Sequence, residues 1–486
     1  MMNFDIFPLI TNTSGFGVLL FYAVLVTILT TVFSRGFNTT KAGFLVANRQ
    51  IGYLQGSASV AAAWIWAPAM FISCLQAYTN GWAGVGWMLI GNFFSVVLFG
   101  VFAPKIKAQF PDGFTLSGYL KEKFGSRVQA IVGFELIMLS IAALSINILA
   151  GSQAIAFISG INYQVISMVI PLIALSYALR GGLKASVVTE LVKVFVFLSF
   201  WLFLVGWSVS SNGGIDTVLA GWGGKTGNGT SLWGSAFTEG ILIGFGIPTV
   251  LGLLSGTWAD NSFYQRIFSI QKDKVLPAFM TGACLAITVT ISGGIMGMLA
   301  AGMQLEVPKA IMTYTNLAVF GLTLPQWTFY VLIFIIFSSL ISVIDSQLGT
   351  ASSLIGNDIY NLFNNEDDKK SILWSRIGMI VISIIAVAIV NIPGITLLTI
   401  FLVYGVGRAT IWWPVMLSLI NEKLVNKHGL FWSILISWII GYPMYLYGQF
   451  GGDKSWTLYG TLLAIFGSGI LCLLISAVTS RLLKNN

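Results

Sequence analysis

The amino-acid sequence predicts an all-α integral membrane protein of about thirteen transmembrane helices, and three observations carry that prediction. Of 486 residues, 56% are hydrophobic and 9% charged, where a soluble domain carries about 25% charged residues. Apolar runs of about 20 residues, the length that crosses a bilayer, follow one another near 15–33, 53–78, 82–103, 128–158, 162–179, 185–209, 236–270, 276–303, 326–358, 373–391, 394–421, 429–449 and 456–481. The basic residues then segregate. With the N-terminus outside, twenty Lys and Arg fall in inner loops, and only Lys225, Lys309 and Lys454 in outer ones. This is the asymmetry of the positive-inside rule. It accounts for the net charge of +8 without a nucleic-acid partner, and it predicts a cytoplasmic C-terminus in the cell (inner or plasma) membrane.

Taken in order, the start "MMNFDIFPLITNTSG" lacks the basic region of a cleaved signal peptide, so run 15–33 reads as a retained helix. Residues 1–52 form this extra helix and the first cytoplasmic loop; 53–210 hold a first group of five spans; 211–235 are an external loop; 236–421 hold a second group of five; 422–486 hold two C-terminal helices. The inner loop "KIKAQFPDGFTLSGYLKEKFGSR" mixes basic residues with Phe110, Phe114, Leu116, Leu120 and Phe124 and reads as an interfacial amphipathic helix. Cys74, Cys284 and Cys472 lie in apolar stretches without paired spacing, which fits small buried hydrophobes and implies neither disulfides nor a metal site.

Two spans are interrupted. The second, "QGSASVAAAWIWAPAMFISCLQAYTNG", runs through small residues from Gly56 to Ala63 and then meets Pro68; the seventh, "GILIGFGIPTVLGLLSGTWADNSFYQR", carries Gly244, Gly246, Pro248 and Ser255-Gly256-Thr257. Irregular backbone survives at membrane depth only when buried in protein or lining a cavity. Each interrupted span opens a group of five. An odd number per group inverts the second relative to the first, and paired broken helices in opposed halves point to a midplane binding site. The expected architecture is thus a five-plus-five inverted repeat with two broken helices.

Charges inside the spans are Glu135, Glu190, Glu239, Lys193, Asp345 and Arg408, and intramembrane ionisable groups mark functional sites or pairs. Glu239 stands close to the outer surface. Arg408 has two readings, as the partner of an acid or as the holder of an anionic solute. Glu190 and Lys193 stand at i and i+3, where they can neutralise each other. In the ninth span, "SSLISVIDSQLGTASSLIGNDIYNLF", Ser339, Ser342, Asp345 and Ser346 share one helical face. Such oxygens suit a hard cation and equally suit hydrogen bonds between helices.

Three segments resemble the solute:sodium symporter family, whose members share the leucine-transporter type of inverted repeat. "YALRGGLKASVVTELVK" is similar to the family's Tyr-Thr-x-x-Gly-Gly-Leu-x-Ala-Val-x-x-Thr-Asp-x-x-Gln signature, "ISVIDSQLGTASSLIGNDIY" to its Ser-Thr-x-Asp-Ser-Gln-Leu segment, and "WADNSFYQRIFSIQKDK" to its Gln-Arg turn after the second broken helix. "AAAWIWAPAMFISCLQAYTNG" resembles the urea- and proline-transporter branches in spacing. The resemblance implies a sodium ion held by the carbonyls of Ala62 and Ile65 with Ser339 and Ser342, and served by Glu190, with Lys193, Asp345 and Arg408 as coupling or paired charges. It implies no organic cofactor. The chain departs from the pattern where Val343 replaces a hydroxyl residue, Glu190 the aspartate and Lys193 the glutamine, which leaves a proton open as the coupled ion with Lys193 standing in for sodium. Solute contacts are expected from Trp64, Trp66, Ser73, Gln76, Ser140, Ser145, Asn147, Ser255 and Trp258, since aromatic faces with a few polar tips suit a small polar solute.

The leading expectation is therefore ion-coupled symport of a small polar organic solute such as urea, an amide or an amino acid, in contact with membrane lipid. A membrane sensor would need an output domain, which "SRLLKNN" after the last span does not supply. An intramembrane enzyme would need converging acid, base and nucleophile or a metal, and the chain offers one histidine, His428, beside Lys427 in a loop. A passive channel remains the alternative that uphill accumulation separates.

Overall fold

The computed structural model describes residues 7–33, 41–226, 241–363, 367–451, 453 and 455–484. Glu239 and residues 227–235 of the expected external loop lie outside these. Ten described helices are long and apolar enough to cross a membrane, and two shorter apolar ones span Tyr163–Leu179 and Leu242–Leu254. The principal helices are α1 (Asn12–Phe33), α2 (Tyr53–Trp64), α3 (Ala67–Gln109), α4 (Leu116–Phe124), α5 (Ser126–Ser159), α6 (Tyr163–Val196), α7 (Leu202–Ser211), α8 (Ile247–Leu254), α9 (Asn261–Ser269), α10 (Val275–Gly302), α11 (Thr328–Ser353), α12 (Asp368–Val390), α13 (Leu397–Ile420), α14 (Lys427–Ile436), α15 (Tyr442–Phe450), α16 (Ser455–Leu462) and α17 (Ser468–Lys484). No strand occurs among the described residues; Ile51 and Ile270 form an isolated bridge.

At 43 residues, α3 would be roughly 65 Å long if straight, twice the hydrocarbon thickness. It is not straight. Gly81 adopts φ 60°, ψ −148°, a conformation open to glycine and few others, and the chain doubles back there. Close approaches to α10 show the reversal: Ser73 packs on Gly293 and Val85 on Gly294, while Phe279 packs on Gly100. Residues on either side of Gly81 thus reach the same depth of α10. The turn is held by Trp82 N–H donating to Trp222 O at 2.9 Å and Lys225 N–H to Tyr78 O at 2.8 Å.

A similar argument applies to α6. Tyr177 and Lys193 both bind Asp345, yet sixteen residues of straight helix would separate them by about 24 Å, so the chain does not run straight between them. The loop charges also do structural work. Lys107 Nζ donates to Ile267 O at 2.9 Å and to Ile270 O, where the last carbonyls of α9 lack intrahelical donors. The amphipathic loop forms α4, capped by Thr115, whose Oγ1 accepts from Gly118 N–H at 2.9 Å; its Leu116, Ser117, Tyr119 and Leu120 are buried in protein contacts.

Arg266 departs from expectation. The charge count assigned it to an inner loop, but it lies in α9 at 1% exposure. All nine residues of α9 are buried, so its polar face, Arg266 included, packs against protein where an amphipathic sequence would suggest water.

Candidate ion and solute site

The first helix break creates the site's oxygens. α2 ends at Trp64; Ile65 (φ −83°, ψ 90°) and Trp66 (φ −123°, ψ 147°) are extended, and α3 restarts with Pro68 in its first turn, a position that needs no N–H donor. The final carbonyls of α2 therefore lack helical partners. One of them and one carbonyl of the break meet α11: Ser342 Oγ donates to Ala62 O at 3.5 Å, and Ser339 Oγ to Ile65 O at 3.2 Å. All four residues are buried. Two carbonyls and two hydroxyls make an oxygen-only donor set, the type preferred by hard cations. Among the described residues, no three His, Cys, Asp or Glu gather as a metal site.

One turn along α11, Ser346 borders a charge cluster. Glu190 Oε1 accepts from Arg266 Nη2 at 2.6 Å, from Ser346 Oγ at 3.2 Å and from Ser186 Oγ at 3.2 Å, and Oε2 accepts from Ser59 Oγ. Arg266 further donates from Nε to Ser59 O at 3.0 Å and from Nη1 to Ser262 O at 2.9 Å. Lys193 Nζ pairs with Asp345 Oδ2 at 3.0 Å, and Tyr177 donates its hydroxyl proton to Asp345 Oδ1. The expected neutralisation of Glu190 by Lys193 is corrected: each finds its counter-ion on another helix. Sequence spacing shows neighbours on one helix, whereas the stronger partners come from α9 and α11.

The second break follows α8. Residues 255–260 are non-helical or turn before Asp260 caps α9, accepting from Ser262 N–H at 2.9 Å. A Cβ on Gly256 would stand 2.6 Å from Trp64 Cη2 and 2.7 Å from Arg408 Nη1, so a residue without a side chain lets the two breaks and α13 converge. The Arg408 guanidinium lies 3.5 Å from the Tyr404 ring centroid and 5.7 Å from that of Trp64, an arrangement favoured by the ring quadrupoles. It forms no ion pair among the described residues. A narrow cavity of about 10 Å³ lies here, bordered by Trp66, Thr249, Gly252, Phe401, Tyr404 and Arg408. Around it Trp64 Nε1, Trp66 Nε1, Thr249 Oγ1 and Arg408 Nε are buried without hydrogen-bond partners.

The profile of the sodium:solute symporter family matches residues 44–437. The chain belongs to that family. The chain is 23% identical to the urea-proton symporter DUR3 of Oryza sativa subsp. japonica over 95% of its own length and 70% of the relative's. It is 25% identical to probable urea active transporter 3 of Schizosaccharomyces pombe, over 85% and 64% of the two chains, and 22% identical to sodium/proline symporter 2 of Staphylococcus saprophyticus, over 73% and 71%. It spans about half of other urea transporters it matches. A substrate-bound, outward-open Na⁺-coupled sialic acid symporter shares the fold, with TM-score 0.74 and 16% identity over 95% of this chain and 98% of that one. Family and relatives are transporters rather than enzymes, and the chain is an integral membrane protein of an ion-coupled symporter family.

Of the residues anticipated for the site, Ala62, Ile65, Ser339 and Ser342 come together, and Trp64, Trp66 and Ser255 border the second break. Glu190, Lys193 and Asp345 form the charge cluster and Arg408 reaches the junction, whereas the remaining solute candidates bond or pack elsewhere. Ser73 donates to Ala69 O at 2.6 Å within its own helix, as Ser140 does to Leu136 O at 2.9 Å, Ser145 to Ile141 O at 2.8 Å and Asn147 to Ala143 O at 2.8 Å. Gln76 accepts from Asn80. Trp258 packs edge-on to Phe99 at 5.2 Å and Phe102 at 5.4 Å. Among the described residues, Arg408 lacks the acid that one reading gave it. Thr249, Tyr404, Phe401 and Arg266 were not anticipated at the site. For Arg266 one signal exists: no other charge lies between Asp260 and Lys272, whereas the true loop charges Lys272, Asp273 and Lys274 cluster.

Proposed function

We propose that this protein accumulates a small polar organic solute, such as urea, an amide or an amino acid, by symport with an inward-moving cation, with sodium as the preferred ion. One observation supports it above all: the carbonyls freed by the first helix break face the hydroxyls of Ser339 and Ser342, a turn away from a junction lined by unpartnered donors. Sodium would be held by Ala62 O, Ile65 O and the two serines. Ion and solute each favour the conformation in which α2, α8, α11 and α13 converge, and that shared preference is the coupling free energy. The thirteen spans, the five-plus-five repeat with the domain limits given above, the outside N-terminus and residence in the cell membrane belong to the same proposal, with rocking of one repeat against the other around a fixed site.

At the junction, donors outnumber acceptors. A solute that accepts hydrogen bonds, through a carbonyl or a carboxylate, satisfies Trp64, Trp66 and Arg408 at once. An amino acid would also neutralise the guanidinium, whereas urea would only accept from it. A cavity of about 10 Å³ holds about one water, so the described conformation is closed and admission of a solute requires α8 and α13 to separate.

A second reading makes the coupled ion a proton. The observation favouring it is Lys193, whose ammonium already occupies the position beside Asp345, while Val343 removes a hydroxyl. Proteoliposome uptake of urea and of proline, under separate sodium and proton gradients, decides between the two. Sodium-driven uphill accumulation that falls in Ser342→Ala supports the leading reading; accumulation under a proton gradient alone supports the second. Uptake that only equilibrates would make the protein a passive pathway and end both.

A further inference from the structure

Glu135 lies nine residues into α5, about 14 Å of helix, at 1% exposure. Its Oε1 accepts from the Thr410 hydroxyl of α13. The Trp438 indole stands beside the carboxyl, yet Trp438 Nε1 and Glu135 Oε2 are both buried without a hydrogen-bond partner. Trp438 stacks near Tyr442, ring centroids 5.3 Å apart, and together they close the acid from the C-terminal helices.

No cation answers this carboxyl among the described residues. On α13, Arg408 is two positions from Thr410; residues at i and i+2 do not share a face, and Arg408 turns instead to Tyr404 and Trp64. On α6 and α11, Lys193 and Asp345 answer each other. On α3, Lys105 donates to Leu419 O and Lys107 to the carbonyls ending α9. On α12, Arg376 donates to Leu179 O. Asp358, after α11, is held by Thr115 and Ser117 of α4. Lys427 and His428 lie at the far end of α14, by Arg127. Tyr442 is the titratable group that faces Glu135. A carboxylate so enclosed would be desolvated without a counter-ion, which a buried group avoids by taking up a proton.

We propose that Glu135 is a proton-binding site of the transport cycle, protonated while α13 packs against α5 and deprotonated when α13 swings away. The geometry gives the link to the solute site: one side of α13 places Thr410 on Glu135, and the other places Arg408 against Trp64 of the first broken helix. When α13 moves off, water reaches the acid, the carboxyl O–H bond breaks, and the proton passes to solvent; repacking takes one up. Acid therefore favours the conformation closed over the solute. The coupling to solute rests on the transport reading above, and the proton site itself does not.

Infrared difference spectroscopy of the purified full chain in lipid nanodiscs, titrated across about pH 5 to 8, tests the site. The C=O stretch of a protonated carboxylic acid is expected in the wild type, lost in Glu135→Gln, and moved in frequency in Thr410→Val, which keeps the acid but removes its donor. A band unchanged in both variants overturns the proposal. In proteoliposomes with acid outside and an inward sodium gradient, urea and proline accumulation is expected to drop at least about tenfold in Glu135→Gln. Accumulation equal to wild type would remove the coupling. If no variant, nor the wild type, moves either solute, the transport reading fails while the infrared titration still decides the proton site.

Discussion

Two regions of this protein bury charge, and they treat it in opposite ways. Around Ser346, Glu190 meets Arg266 and Lys193 meets Asp345, with serines and Tyr177 filling the remaining hydrogen-bond positions. Along α13, Arg408 rests on aromatic rings and Glu135 on one threonine, neither with a counter-ion among the described residues. The first region joins α2, α6, α9 and α11 by interactions that are already complete. The second keeps bonding capacity in reserve at the positions where α13 touches its neighbours. Satisfied charge suits a lock, and unsatisfied charge suits a ligand.

The largest effect should come from breaking the lock on one side. Glu190→Gln or Arg266→Met alone leaves a buried charge without its partner, which costs about 3–5 kcal/mol. The double variant Glu190→Gln/Arg266→Met should recover most of that loss, since neither charge then remains. Thermal unfolding followed by tryptophan fluorescence measures it. Single variants as stable as the wild type would remove the distinction between the two regions. Next in size is the cradle beside the lock. Ser342→Ala deletes one oxygen facing Ala62 O, and a lost interaction with a charged ligand, about 1.5–3 kcal/mol, raises the sodium concentration for half-maximal uptake by about tenfold or more. An unchanged sodium dependence would separate Ser342 from the ion.

On the other side of the comparison, Arg408→Met should behave unlike Arg266→Met. Removing a charge that has no counter-ion takes away a desolvation penalty along with a stacking interaction, so unfolding is expected within about 1 kcal/mol of the wild type. Stabilisation by solute, however, should disappear. A thermal-shift panel of urea, amides and amino acids, run on both chains, reads the two effects together. A loss of stability matching that of Arg266→Met would show that Arg408 is part of a lock as well.

How legible these regions were follows from the range of the forces involved. The helix break was visible because small residues leading to Pro68 are a local property, and the serine stripe because Ser339, Ser342 and Ser346 repeat at helical spacing. The family pattern then named Ala62 and Ile65, which composition alone does not distinguish from other apolar residues. The pairing of charges was hidden. Glu190 and Lys193 are neighbours in sequence, but Arg266 arrives from a helix 76 positions away and Asp345 from one 152 positions away. Ser73 and Ser140 looked available for solute because a side chain that satisfies itself on its own helix carbonyl reads the same as one that points into a site. Trp258 shows a related ambiguity: its indole ring packs in an aromatic cluster with Phe99 and Phe102 while its Nε1 is buried without a hydrogen-bond partner, and sequence does not separate a packing tryptophan from a binding one.

The smallest effect expected is also the one that tests the cradle most directly. Val343 is 6% exposed, adjacent to Ser342 and one turn from Ser339, on the face that meets the first break. Val343→Thr keeps the shape and adds the hydroxyl that the family pattern carries. Without an ion, a new buried hydroxyl lacking a partner destabilises modestly, by about 1–3 kcal/mol, unless it donates to its own helix carbonyl, as serines elsewhere in this chain do. With sodium present it becomes a further ligand, and binding to the folded state returns stability in proportion to RT ln(1 + [L]/Kd). The variant should therefore unfold at or slightly below the wild-type temperature in potassium, and gain more than the wild type on transfer to sodium, with half-saturation lowered a few-fold. Equal gains for the two chains would mean that the oxygens of Ala62, Ile65, Ser339 and Ser342 meet only to hold helices together, and the contrast between filled and reserved polar groups would then rest on α13 alone.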